Sequence, residues 1–181
     1  PGVVLCYSRT EEIDKDGNTL KLFPAKPRSG SPKPSERYYE VVCLSEPVVS
    51  VFGLIRTEIL GRTGLIGKYS GSDRPLLGEL CLYGRFYEIP EALFFYRKHE
   101  AQSWGNNKSH HSQQAWYDPS RAGKITFPHW RLLGEHVRSI NRSPLGFYDR
   151  TQCYLCVGWW IRRHWRHLAN NLLVRDVKRF R

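Results

Sequence analysis

The sequence predicts a mixed α/β fold followed by a helical tail, and three observations carry that expectation. The run "GVVLCYS" (2–8) is short, apolar and rich in β-branched residues, as a buried strand is. From Ser72 the hydrophobic period becomes helical: Leu76, Leu77, Leu80 and Cys81 fall on one face. Beyond residue 126, "FPHWRLLGEHVRSI" and "YDRTQCYLCVGWWIRRHWRHLANNLL" both keep helical spacing and are dense in aromatics.

The other elements fall between these. "DKDGN" (14–18) is a turn signal that ends the first strand. Residues 24–35, "PAKPRSGSPKPS", carry four prolines with Gly and Ser and read as a surface loop. Ser35 is placed to cap a short amphipathic helix over "ERYYEVVCL", and "VVSVFGLI" (48–55) is the next strand candidate. Ser72 and Asp73 mark the start of the helix that Gly84 stops, and two short strands, "RFYEI" and "ALFFYR", flank Pro90. Residues 105–125 are polar and rich in Gly, Asn, Ser and His, a linker. The chain therefore divides into an α/β part over 1–104 and a linker with a basic, Trp-rich helical tail over 105–181.

Composition sets limits on function. At 181 residues the chain can bury a sizeable core, and 40% hydrophobic with 25% charged residues excludes wholesale disorder. No apolar run approaches the roughly 20 residues of a membrane-spanning helix and no leader pattern opens the chain, so the expected compartment is the cytoplasm. Five scattered cysteines, an odd number, read as reduced thiols. The chain starts at Pro1 and contains no Met, which predicts a fragment whose start lies upstream. The net charge of +11 is uneven: residues 105–181 hold 14 basic against 4 acidic residues, while residues 1–49 hold 7 of each. Such a tail suits an anionic membrane surface, nucleic acid or an acidic partner.

The segment "FGLIRTEILGRTGLIGKYSGSDRPLLGELCLYGRFYEIPEALFFYRKHEAQS" (52–103) resembles the acceptor-side half of family 2 glycosyltransferases of the GT-A fold. The parts come in the family's order: an apolar-glycine strand, an Arg followed by a helix, a glycine-bearing loop, an acidic motif opening a D-x-x-L-x-x-x-L-x-x-x-G helix, a strand reading Arg-aromatic to Pro-Glu, then "YRKH". "VVLCYSRTEEIDKDGNTL" looks like the strand and hairpin that follow the family's metal-binding motif. "RSPLGFYDRTQCYL" is similar to helical extensions of bacterial members. The resemblance implies the C-terminal portion of a GT-A, Rossmann-like domain without its nucleotide-binding half. It implies inverting transfer of a sugar from a nucleotide-sugar donor to a hydroxyl of a polysaccharide, glycolipid or similar acceptor, assisted by Mg²⁺ or Mn²⁺. No D-x-D after an apolar strand is present, and "DKD" (14–16) sits where a hairpin explains it.

Such a transfer needs a carboxylate within hydrogen-bond reach of the acceptor hydroxyl, and the resemblance assigns that role to Asp73. Ser72 would cap the helix while Asp73 points into the cleft; the bland alternative is that "SD" only caps. The same resemblance sets His99 at the metal or diphosphate with Arg97 beside it. Arg56 is a candidate to position substrate or to anchor the loop at 64–71, Arg74 to hold the acceptor or lie on the solvated side of the helix, and Tyr69 and Trp104 to stack on a sugar or pack as core or rim. Cys153, Cys156, His164 and His167 are zinc-ligand types, but their spacing is short for a zinc finger and a continuous amphipathic helix explains them. A second class of function is a binding module. Trp159, Trp160 and Trp165 interleaved with Arg162, Arg163 and Arg166 suit nucleic acid or a membrane interface, and the resemblance tilts the expectation to peripheral association with the inner face of a membrane.

Overall fold

The computed structural model describes residues 2–44, 48–99 and 127–172. At its centre is β1 (Val3–Ile13), an eleven-residue strand around which the rest is arranged. On one side β1 pairs antiparallel with β2 (Thr19–Leu22) through Glu11–Ile13 and with β3 (Leu54–Ile55) through Leu5 and Cys6. On the other side it pairs in parallel with β4 (Arg85–Arg97) from Val3↔Arg85 to Ile13↔Arg97. The α/β class expected from the sequence is thus present as a mixed four-stranded sheet.

The β1–β2 turn forms because Asp14 satisfies its own loop. Its carboxylate accepts from the amides of Asp16 and Asn18 at 2.8 and 2.9 Å and from Asn18 Nδ2 at 2.9 Å, while Gly17 takes the left-handed φ of +95° that the turn requires. Those hydrogen bonds hold the Asp14 carboxyl below its usual range, and this use explains "DKD" without a metal.

Three local expectations are corrected. "RFYEI" and "ALFFYR" form one strand, because Pro90, which has no N–H to give the ladder, is bulged out with Glu91 between the pairs Ser8↔Ile89 and Arg9↔Ala92. The first helix, α1 (Pro34–Tyr39), starts two residues earlier than a Ser35 cap allows, with Pro34 at its first position where the missing N–H costs nothing. Residues 48–55 hold a 3₁₀ turn (Val49–Phe52) and only the two-residue β3, since the chain must cross tightly over β1 there. Gly53 permits the crossing: a Cβ on it would meet the Cys6 carbonyl oxygen and lie 2.9 Å from Tyr7 Cβ. Gly53→Ala is expected to cost about 2 kcal/mol, read as a lower urea midpoint, because backbone cannot move aside as a side chain can.

Two more helices come from the α/β part. The short α2 (Thr57–Leu60) follows β3, and α3 (Asp73–Tyr83) is the crossover leading into β4. Leu76, Leu77, Leu80 and Cys81 are buried as their spacing predicts. The last turn of α3 is held by Arg37 of α1, a cation at the negative end of the helix dipole: its Nε donates to the Cys81 carbonyl at 2.6 Å. In the tail, α4 (Pro128–Arg142) and α5 (Phe147–Leu172) pack as an antiparallel pair against α1 and α3. Ile140, Cys153, Val157 and Trp160 join Leu5, Tyr38, Leu77 and Phe86 in one hydrophobic cluster, so these helices share the core of the α/β part. No helix among the described residues is long and apolar enough to cross a membrane.

Candidate functional site

Asp73 opens α3 in the first turn, where the exposed amides and helix dipole favour a carboxylate. It is half-buried, and among the described residues its one hydrogen bond is from the adjacent Arg74 amide at 2.9 Å. Ser72, expected to cap the helix, makes no side-chain cap bond: it is itself in the helical region (φ −67°, ψ −15°) and 3% exposed. The division of labour expected at "SD" is therefore corrected, with the local backbone bond made by Asp73.

Of the remaining candidates, Arg74 adjoins Asp73 and Tyr69 lies within its electrostatic range, while Arg56 and Arg97 are held at opposite ends of β1. Arg56 ties β3 to the start of β1, its Nε donating to the Val3 carbonyl at 2.6 Å and its amide to that of Val4 at 3.0 Å. Arg97 clamps the opposite end, where Nη1 donates to the carbonyls of Asp14 and Lys15 at 3.3 and 2.7 Å. Roughly 35 Å of β1 separates the two anchor points. His99 is exposed just past the end of β4, beside the Arg97 end of the sheet. Tyr69 is 6% exposed, with the Arg131 guanidinium of α4 seated 4.1 Å from its ring centroid. That ring face is covered, so Tyr69 packs α4 against the loop before α3 and is no open sugar platform. Burial pushes its hydroxyl up to about 12. Trp104 lies outside the described residues.

Arg74 turns inward. It is half-buried, its Nη1 donates to the Val42 carbonyl at 3.4 Å, and its charge is felt by Lys26 and His136. Near it the fold assembles a polar group that sequence reasoning did not single out. Tyr7 Oη donates to Glu88 Oε2 at 2.9 Å, the Lys26 amide donates to the same oxygen at 3.3 Å, and Arg9 Nε faces Glu88 Oε1 at 3.5 Å. Burial raises the Tyr7 hydroxyl well above its usual range and lowers Lys26 despite the acids near it. Burial also raises Glu40, whose charge Lys26 and Arg28 partly offset. The parallel pairing of β1 with β4 brings Tyr7 to Glu88 across the ladder, and no sequence period announces it. The shallow cleft beside this group, bounded by Tyr7, Thr10 and the Phe52–Phe94 stack, is water-sized rather than sugar-sized.

Among the described residues no group of three or more His, Cys, Asp or Glu is arranged to hold a metal ion. The Mg²⁺ or Mn²⁺ that the family resemblance implies therefore has no fitting donor set among them, and His99 has no acidic partner there. Cys153, Cys156, His164 and His167 all lie on the one continuous helix that their period predicts. Cys153 is fully buried on the inner face of α5 and burial pushes it up to about 12 and Cys156 up to about 11, which keeps both as thiols. All five cysteines are free.

No family model, no curated protein and no solved structure matches this chain. The likeness to family 2 glycosyltransferases consequently rests on the order and spacing of the motifs in residues 52–103.

Proposed function

We propose that the chain is the acceptor-side part of an inverting, nucleotide-sugar-dependent glycosyltransferase in which Asp73 is the general base. The observation that carries the reading is how little of Asp73 its own helix uses. One backbone amide engages Oδ1, and a carboxylate has room for several further hydrogen bonds, so the group retains capacity to accept an alcohol proton. In the proposed step Asp73 takes the proton of the acceptor hydroxyl as its oxygen attacks the anomeric carbon. The bond from that carbon to the nucleotide diphosphate breaks, and the diphosphate leaves with the electron pair. Arg97 and His99 sit at the far end of β4 and are assigned no step. Cation donors are left to parts of the enzyme outside the described residues.

The sheet adds support for a larger α/β domain. Among the described residues β4 pairs only with β1, yet Tyr87, Leu93 and Phe95 stand exposed along it. Parallel strands are ordinarily covered on both faces, and a long apolar edge invites another strand or helix. A donor-binding half supplied by another part of the protein would meet that need.

The test is Asp73→Asn in an enzyme that includes the donor-binding half. Transfer is expected to fall by about 10²–10⁴, with the circular dichroism spectrum and donor affinity unchanged. Turnover within a fewfold of wild type would remove Asp73 from the mechanism.

A further inference from the structure

The inner face of α5 is accounted for by the core: Cys153, Val157, Trp160 and Leu168 are all buried. Its exposed side carries an apolar stripe as well, with Arg162 and Arg166 at the point opposite the buried face. Phe147, Tyr154, Ile161 and Trp165 recur at i, i+7, i+14 and i+18, which is one stripe of a 3.6-residue helix, and Tyr148 and Leu155 run beside it. Phe147 is 88% exposed, Leu155 64% and Trp165 57%. Cations line one flank of the stripe: Arg162 and Arg166 are exposed next to it, with Arg163 further round the helix. Arg166 lies 5.5 Å over the Trp165 ring and Arg163 5.5 Å over Trp159, so the guanidiniums sit at the level of the indoles.

We propose that this outer face of α5 is a docking surface for an anionic lipid bilayer. Aliphatic and phenyl groups at Leu155, Ile161 and Phe147 gain by entering the acyl boundary, Trp165 suits headgroup depth, and the arginines meet lipid phosphates. The surplus of 14 basic over 4 acidic residues in 105–181 supplies the long-range attraction. Nucleic acid is the poorer fit to the same face. Phosphate contacts need the cations, but the exposed aliphatic Leu155 and Ile161 among the aromatics offer bases nothing to stack on or bond to. The helix lies on the surface in this arrangement, consistent with the absence of a spanning helix among the described residues.

The experiment is co-sedimentation of the chain with phosphatidylcholine–phosphatidylglycerol vesicles and with pure phosphatidylcholine vesicles, at low and high salt. Binding is expected to the mixed vesicles alone and to weaken with salt. It should fall about fivefold for each of Arg162→Gln and Arg166→Gln, and be lost in the pair Leu155→Glu and Trp165→Glu. Both positions are exposed, so these variants should keep the wild-type circular dichroism spectrum and urea midpoint. A single-stranded oligonucleotide is run in parallel by gel shift, and size-exclusion chromatography reports self-association. The proposal is overturned if the glutamate pair still binds vesicles, or if the oligonucleotide binds while vesicles do not. It is equally overturned if the same substitutions abolish a dimer and vesicle binding is absent.

Discussion

Lowering the pH from 6.5 toward about 3 is expected to remove stability from this protein steadily, on the order of 1 kcal/mol per pH unit from His136 alone. His136 on α4 is 0% exposed, and neither ring nitrogen has a hydrogen-bond partner among the described residues. Its surroundings are the edge of the Tyr38 ring at a centroid distance of 6.1 Å and Trp160 at 5.4 Å, with the charge of Arg74 and the ring of His164 within electrostatic range. Burial comes first among the causes and those two neighbours add to it, bringing the group down to about 3. The folded protein thus keeps His136 neutral where the unfolded chain, with its value near 6.5, takes up a proton. In that window the unfolded state binds more protons, so stability is full above pH 6.5 and is lost as the pH falls. Burial lowers His164 as well, but that group is half-exposed and solvent screening reduces its share. Urea midpoints measured across the window should decline with acid in the wild type and much less in His136→Phe. Parallel declines in the two proteins would exclude His136 as the cause.

Glu79→Ala is expected to cost about 3 kcal/mol, the penalty for leaving a buried charged network without its centre. Glu79 is 2% exposed on α3. Arg142 Nη1 donates to both its oxygens at 2.9 Å, the Gly64 amide donates at 3.0 Å and the Ser139 hydroxyl at 3.4 Å. One carboxylate thereby ties the loop after α2 to α3 and α3 to the end of α4. Arg142 is 39% exposed and can turn to water when its partner is lost, which keeps the cost at the low end for a buried pair. Glu79→Gln retains the shape and two of the acceptor roles and should lose less than half as much. A thermal midpoint unchanged in Glu79→Ala would show that the network contributes nothing to holding α4.

Local patterns made a good part of the fold readable. The apolar face of α3 is buried where its spacing puts it, the Asp14–Asn18 turn closes as "DKDGN" indicates, and both tail helices stand where aromatic and leucine spacing repeats. The elements that went unread are those whose reason lies across the chain. β4 is one strand because β1 accepts it past a bulge at Pro90, and residues 49–52 turn tightly because β1 passes beneath Gly53. Of the candidate site, the place of Asp73 at the head of α3 was legible, whereas the separation of Arg56 from Arg97 was not. Nor was the covering of Tyr69 by Arg131, since neither a contact over sixty residues nor a strand length leaves a trace in local period.

The sequence by itself determined the α/β class, the start and face of α3, and a cationic, aromatic tail, because turn chemistry, hydrophobic period and charge act over a few residues. Only the tertiary structure decided which strands pair, that the tail shares the core of the sheet, and that Glu88 with Tyr7, and Glu79 with Arg142, form buried polar groups. Those outcomes depend on desolvation and on contacts between distant segments, whose free energy exists only once the chain has closed upon itself.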